Sequence, residues 1–444
     1  MGNVYREFKG LANCLPPERI GFSYLESALN VDIDDSGMIR RRPGYKRVYE
    51  GAVHSLWSDG RVCLFCEGGQ LNELLSPETT GGPYGVRSLR QGLASGRRMA
   101  YLSLNGTVYY SDGAVTGAIN TRGESHWPRT WGMAPPPPPI LSPAEGNLRT
   151  GKYAIALTYV RRAGAYSGGQ ESGTSVLSSI ETGTGGITAA VTASDDPDVV
   201  GINLYVTTVN GETLYLAMRL PNQSAAVALK DEPAPMLTAV TEGLKPPPAG
   251  HLITYYRGRI YMAAYDVIYY SEPFAFELYN MAANWIPFNG MITLLAAAEE
   301  GIFVGTRDEL FMLRGATPDK FTLHRISGCG AVIATQATGE MRHPINGGNG
   351  ANSLKRTLLW ESRRGKCSVS LEGGSEINYA AEGIYSYECG LTGAGIVHRR
   401  DGMNLYISVM KGAINSGGPR VNCYMETVYA SGAPTMPPIS ISAS

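Results

Sequence analysis

The chain has 444 residues, a formal net charge of −1 and 17% charged residues. It is long enough for two or three domains, and as a whole it lacks the positive charge of a nucleic-acid binder. Met1 to Lys9 is polar and no apolar run approaches ~20 residues, so neither a signal peptide nor a membrane-spanning helix is expected. The 55 glycines, and 26 tyrosines against nine phenylalanines, point to a turn-dense, β-rich chain with half-wet sheet faces.

Residues 1–36 read as an N-terminal arm. Pro17 to Leu29 has the best helical period of the chain, weakened by Gly21. Ala28 to Ile33 reads as a strand without a hairpin partner of its own, and is expected to close the architecture against the C-terminal end. It runs into the Asx-type turn Asp34-Asp35-Ser36-Gly37, and the next strand, Met38 to Arg42, stops at Pro43-Gly44.

From there a hairpin phrase recurs. Gly96 to Asp112 and Gly258 to Glu272 each read as strand, tight turn, strand, then Tyr-Tyr-Ser and an acid: Tyr109-Tyr110-Ser111-Asp112 and Tyr269-Tyr270-Ser271-Glu272. The first carries Asn105-Gly106 between its strands, the strongest short-range hairpin signal. Looser copies lie at Val53–Gly69, Gly301–Leu313, Thr357–Ser370 and Ile396–Ser408. Repetition of a β unit at this scale predicts an all-β fold, a β-propeller of about six blades. Its first blades occupy 37–134 and its remaining blades 249–430, followed by a tail at 431–444.

Between them lies a segment of different texture, 135–248, bracketed by Pro135 to Pro139 and by Pro246-Pro247-Pro248. Polyproline of this kind is a stiff spacer and a domain boundary. The strand Gly151 to Val160, the Gln170-Glu171-Ser172 turn and the later strand Val199 to Thr208 resemble a fibronectin type III-like β-sandwich. An insertion into a propeller must bring its two ends close together.

Motifs that would carry chemistry are incomplete. Asp32-x-Asp34-x-Ser36-Gly37 opens like a calcium loop, but Pro43 stands where the closing bidentate Glu belongs. Ser58-Asp59-Gly60 and Ser111-Asp112-Gly113 are similar to sialidase Asp-boxes without the spacing or the Trp. Glu272, Glu299, Glu300 and Asp308 have no spacing that pairs two carboxylates for glycoside hydrolysis. The six histidines (54, 126, 251, 324, 343, 398) stand singly. Among the seven cysteines (14, 63, 66, 329, 367, 389, 423), Cys63 and Cys66 are alone in having C-x-x-C spacing, and they lie in a predicted strand. Buried free thiols are expected, and Gly328-Cys329-Gly330 reads as a turn. The five tryptophans (57, 127, 131, 285, 360) are scattered. The Tyr-Tyr pairs are expected to point one ring into inter-blade packing and one outward, where it offers a glycan platform. The arginine pairs at 97–98, 161–162, 363–364 and 399–400, and the triplet at 40–42, read as surface charges that block edge pairing. No catalytic, cofactor-binding or metal-ligating residue is assigned, and no cofactor; the protein is read as not an enzyme.

Several of these segments taken together resemble tailed-phage virion proteins: Phe8-Lys9-Gly10-Leu11-Ala12-Asn13, the Ala28 to Gly37 strand-turn, Arg41-Arg42-Pro43-Gly44-Tyr45, the Tyr-Tyr-Ser-acid repeats and the inserted module. Within that group the chain is similar to the tail nozzle (tail hub) proteins of short-tailed phages, the podoviruses. The resemblance implies a structural subunit of a homo-oligomeric ring, a hexamer, that extends the portal and adaptor rings and encloses the path of DNA ejection. It implies contacts with the head-to-tail adaptor, with tail fibres or a tail needle or plug, and transiently with passing DNA. It also implies a location in the virion tail after assembly in the bacterial cytoplasm. Two other readings stay open: a tail-tip or baseplate component of a long-tailed phage, and a propeller that binds or hydrolyses glycans.

Overall fold

A computed structural model describes residues 7–14, 16–33, 36–44, 47–79, 82–123, 126–162, 170–183, 185–343, 353–379, 389–400 and 403–413. Among them there are strands and two short 3-10 turns, and no α-helix. The helical period of Pro17 to Leu29 yields only the 3-10 turn Pro17–Arg19, followed by Tyr24–Leu25, which pairs in parallel with Gly10–Leu11. Gly21 and the backbone pairing of this segment win over its weak period.

Five successive antiparallel meanders, each of four strands in chain order, form the bulk of the protein. They span 54–90, 100–129, 252–287, 292–327 and 337–379. Each of the six repeated phrases falls in its own sheet, the last in the long hairpin Gly390–Arg400 and Met403–Ala413. Two-residue turns set the registers. Asn105-Gly106, with φ of 52° and 74°, joins Ala100–Leu104 to Thr107–Ser111. Gly68-Gly69, with φ of 56° and 78°, joins Cys63–Glu67 to Gln70–Leu75. Both positions are left-handed in each turn, the geometry whose twist matches the flanking strands.

The two closest phrases are not structural equivalents. Gly96 to Asp112 supplies the first and second strands of its meander, whereas Gly258 to Glu272 supplies the second and third strands of the next. The match lies in the hairpin and is offset by one strand in the sheet. Outer strands are guarded by proline: Trp127–Arg129 holds Pro128, and Trp285–Pro287 ends in one.

Each meander packs on the next. Leu64, Cys66 and Leu71 of the first meet Val108, Tyr110 and Ile119 of the second. Tyr109 and Ala118 on the second sheet's other face meet Ile253, Ile260 and Met262 of the third. The third and fourth share Tyr261, Ile268, Leu295 and Val304; the fourth and fifth share Phe303, Met312, Leu358 and Trp360. The terminal hairpin meets the fifth through Ser408, which donates to Glu361, and Asn404, which donates to the Glu340 carbonyl. It packs on the segment before the fifth through Val332 and Met410, and Tyr406 donates from its hydroxyl to the Thr335 carbonyl at 2.7 Å. Arg98, between the first and second meanders, donates to the Ala334 and Gly393 carbonyls at 3.1 and 2.7 Å. That contact joins the start of the series to its end.

Both tyrosines of the first Tyr-Tyr pair are therefore buried, in two different cores; the expected outward ring is absent at Tyr109-Tyr110. A sheet covered on both faces leaves neither side of a strand to solvent. Ala28 to Ile33 also departs from expectation: Val31–Ile33 does have a hairpin partner, Ile39–Arg41.

The 140–229 segment forms two antiparallel sheets. Ile140–Leu148, Gly185–Val191 and Ala225–Leu229 make the three-stranded one; Ser178–Thr182, Gly151–Arg161, Val199–Thr207 and Leu214–Pro221 make the four-stranded one. Alternation along Tyr153, Ile155, Leu157 and Tyr159 points these side chains at Leu148, Ile187, Ala189 and Leu229 across a shared core. Gly106→Ala, which forces a Cβ onto φ of 74° and against the Arg122 side chain, is expected to lower stability by about 1–2 kcal/mol in urea unfolding with an unchanged m-value.

Candidate functional site

Charge gathers at two joints, and neither was legible as a site. At the first, Asp32 on Val31–Ile33 accepts from Arg42 Nε at 2.9 Å and pairs with Arg400 at the tip of the terminal hairpin. Arg42 Nη2 also donates to the Val31 carbonyl at 3.1 Å. Burial pulls the Arg42 guanidinium down to about 10. The two carboxylate oxygens of Asp32 are thus each engaged by a guanidinium, not presented to a cation; Asp34 lies outside the described residues.

The second joint stands where the two-sheet unit meets the second and third meanders. Glu277 Oε1 pairs with Arg129 at 2.8 Å and Oε2 with Arg161 at 3.0 Å. Arg161 also reaches Asp196 Oδ2 at 2.6 Å, the Thr130 carbonyl at 3.4 Å and the Thr130 hydroxyl. With its amide nitrogen turned toward the carboxylate, Gln170 donates to both Glu277 oxygens at 3.0 and 3.1 Å. Burial pushes the Asp196 carboxyl up, but hydrogen bonds from Arg161 and neighbouring groups outweigh it and hold it below the ordinary carboxylate range.

Arg161, Arg42 and Arg98 correct the reading of the arginine runs as surface charges. Arg161 and Arg42 are buried; Arg161 and Arg98 bind partners from distant segments, and Arg42 binds Asp32 and the Val31 carbonyl within its own hairpin. Exposed members remain, among them Arg40 and Arg41 on Ile39–Arg41 and Arg363, which pairs with Asp308 at 3.1 Å.

The acids considered for sugar chemistry are dispersed among separate partners. Glu272 accepts from Asn284 at 2.7 Å, Glu300 pairs with Arg314 at 3.0 Å, and Asp308 with Arg363; Glu299 donates its backbone N–H to Leu371. The two Ser-Asp-Gly motifs are twin turns. Asp59 Oδ1 accepts the Arg61 and Val62 amides at 2.9 and 3.1 Å, and Asp112 Oδ1 accepts those of Ala114 and Val115 at 2.8 and 2.7 Å. Ser111 and Ser271 are buried and accept from the Gly250 and Ile260 amides at 3.0 and 3.1 Å, so the shared Tyr-Tyr-Ser ending fastens backbone.

The histidines are likewise apart. His126 Nδ1 lies 2.7 Å from Glu73, His54 Nδ1 2.9 Å from the Ser55 hydroxyl, and His324 Nε2 2.9 Å from the Thr322 hydroxyl. Among the described residues no three His, Cys, Asp or Glu side chains are placed to hold a metal. Cys14, Cys63, Cys66, Cys329, Cys367 and Cys389 are free, and Cys423 lies outside the described residues. Burial pushes the Cys389 thiol up to about 12 and raises Cys367 further, which keeps both protonated and unreactive. Cys329 lies in a turn, its amide donating to the Ser327 hydroxyl at 3.0 Å. Trp131 and Trp360 are core residues, Trp57 stacks on Tyr101 with ring centroids 5.3 Å apart, and Trp127 and Trp285 are exposed.

No known family's sequence profile matches the chain, and no curated protein does. Solved structures with some likeness include BBS1N in complex with ARL6DN, at 13% identity over 81% of this chain and 88% of that one, with a TM-score of 0.28. The N-terminal domain of Nup159 is 8% identical over 84% and 74%, with a TM-score of 0.25. Saccharomyces cerevisiae Sqt1 is 9% identical over 71% and 94%, with a TM-score of 0.20. The architecture rests on the sheets and cores above, not on these likenesses.

One titration follows from the geometry. His251 donates from Nε2 to the Ile292 carbonyl at 2.6 Å, and burial holds its pKa below the usual 6.5 in spite of that bond. The folded state therefore favours neutral imidazole, so stability falls as the pH drops below about 6.5, where the unfolded chain binds the proton first. His251→Gln is expected to flatten the decline in melting temperature between pH 7 and 5; an unchanged slope would contradict this role.

Proposed function

We propose that this chain is a structural ring subunit of a phage tail: a β-propeller of about six blades carrying an inserted fibronectin type III-like β-sandwich, which serves as the tail nozzle (tail hub) of a short-tailed phage. The observation that carries the architectural part is the series of sheets. Four-stranded meanders pack each on the next, and Arg98 and the Asp32–Arg400 pair tie the early part of the chain to its terminal hairpin. Closure of this kind covers the apolar end faces that a linear stack would expose and leaves only short strand edges. The seven strands of the 140–229 unit, in sheets of three and four, fit a sandwich of the expected size.

The virion assignment rests on the motifs of the N-terminal arm and the Tyr-Tyr-Ser repeats. In this reading the subunits form a homo-oligomeric ring, probed by the adaptor on one side and by tail fibres or a needle on the other. DNA passes without being gripped. Each Lys or Arg that neutralises a phosphate adds affinity, so a channel wall that is neutral or acidic lets the duplex slide. Arg42 is already consumed by Asp32, which removes it from any such wall.

Native mass spectrometry and cryo-electron microscopy of the purified protein test this reading together. The expected result is a closed multimer around a channel wide enough for duplex DNA, with Arg40 and Arg41 off its wall. A monomer, or a wall lined by these arginines, contradicts it.

A further inference from the structure

We propose that the two-sheet unit is a fixed arm with an ionic lock: the Arg129–Glu277–Arg161–Asp196 network holds it to the second and third meanders, and loss of that network frees it without unfolding either side. The proline spacers alone suggest a tethered module, but the chain at both ends is packed. Gly132, at φ of 83°, lies so close to the exit segment that a Cβ there would stand 2.8 Å from Pro246 Cβ and 2.9 Å from the Glu277 carbonyl. Lys245 and Tyr279 exchange backbone hydrogen bonds of 3.0 and 2.8 Å. Trp131 donates from its indole to the Phe276 carbonyl at 2.8 Å. The two ends of the unit thus run side by side against 276–279.

What joins the bodies is polar. The core of the unit contains Met133 and its own strands; the core between the second and third meanders contains Trp131 and theirs. Among the described residues no apolar cluster includes strands from both the unit and a meander. Arg129 comes from the second meander, Arg161 and Asp196 from the unit, and Glu277 from the loop after the third strand of the third meander. Glu277 is the hub, because two arginines and Gln170 converge on it. Neutralising Glu277 leaves the half-buried Arg129 and the buried Arg161 with like charge and Asp196 alone to offset it, which weakens the hold between the surfaces. Two separate apolar cores, joined by backbone bonds at 245 and 279 and by one charge cluster beside them, make a two-position device: docked while the charges are paired, free when they are not. This does not rest on the phage reading; any partner that binds the arm would be held in a set orientation while the lock is closed.

Amide hydrogen exchange on the full chain tests it. In Glu277→Gln the Lys245 and Tyr279 amides are expected to exchange at least tenfold faster than in the wild type. Ile155 and Leu204 of the unit and Met262 of the third meander keep their protection. Asp196→Asn, which removes one rim partner of Arg161, gives a smaller acceleration at the same two amides and serves as the test if Glu277→Gln does not fold. Wild-type exchange at Lys245 and Tyr279 in a folded variant overturns the lock. So does acceleration of all five amides together, which would make the arm and the meanders one cooperative body.

Discussion

An antiparallel sheet that is apolar on both faces needs a neighbour on each side, and the rest of this structure follows from that need. The strand Gly301–Thr306 is buried along its whole length, with Ile302 and Val304 facing the third meander and Phe303 the fifth. Tyr109 and Tyr110 do the same in the second meander, one to each flank. Such sheets can only stack, and a stack must end. The terminal hairpin meets the fifth meander where Ser408 donates to Glu361, and Arg98 and Asp32 reach that hairpin from the beginning of the chain.

Some of the charge that is present is structural, held at the joints between segments. Burying an arginine is tolerated only where its guanidinium finds several oxygens in fixed positions. Arg161 has them in Glu277, Asp196 and Thr130, and Arg42 in Asp32 and the Val31 carbonyl. Both lie at junctions between segments far apart in sequence. An apolar contact would tolerate sliding at such junctions, whereas a fork-shaped donor on a carboxylate fixes orientation.

What the sequence reveals is mostly local. Asn105-Gly106 and Gly68-Gly69 announce hairpins because their left-handed backbone is a property of the residues themselves. The six phrases therefore land in six sheets, yet the offset between Gly96–Asp112 and Gly258–Glu272 stays hidden, since a hairpin does not record which strand of a sheet comes first. The bracketing prolines mark the limits of a distinct unit, but not that its ends are pinned by Lys245 and Tyr279. Arginine runs look alike in one dimension; whether Arg161 is solvated or buried depends on Glu277, which no local rule connects to it. The tyrosine faces fail for a related reason: alternation tells which residues oppose one another, not whether a second sheet covers the outer side.

The central claim is that the N-terminal hairpin and the terminal hairpin are energetically joined through Asp32 and Arg400. A double-mutant cycle measures this directly, with Asp32→Asn, Arg400→Gln and the double variant compared by urea unfolding. A joined pair predicts a coupling energy of about 1 kcal/mol or more, since partners in one ion-pair network are not additive. Additive effects of the two substitutions would contradict the closure of the fold at this point.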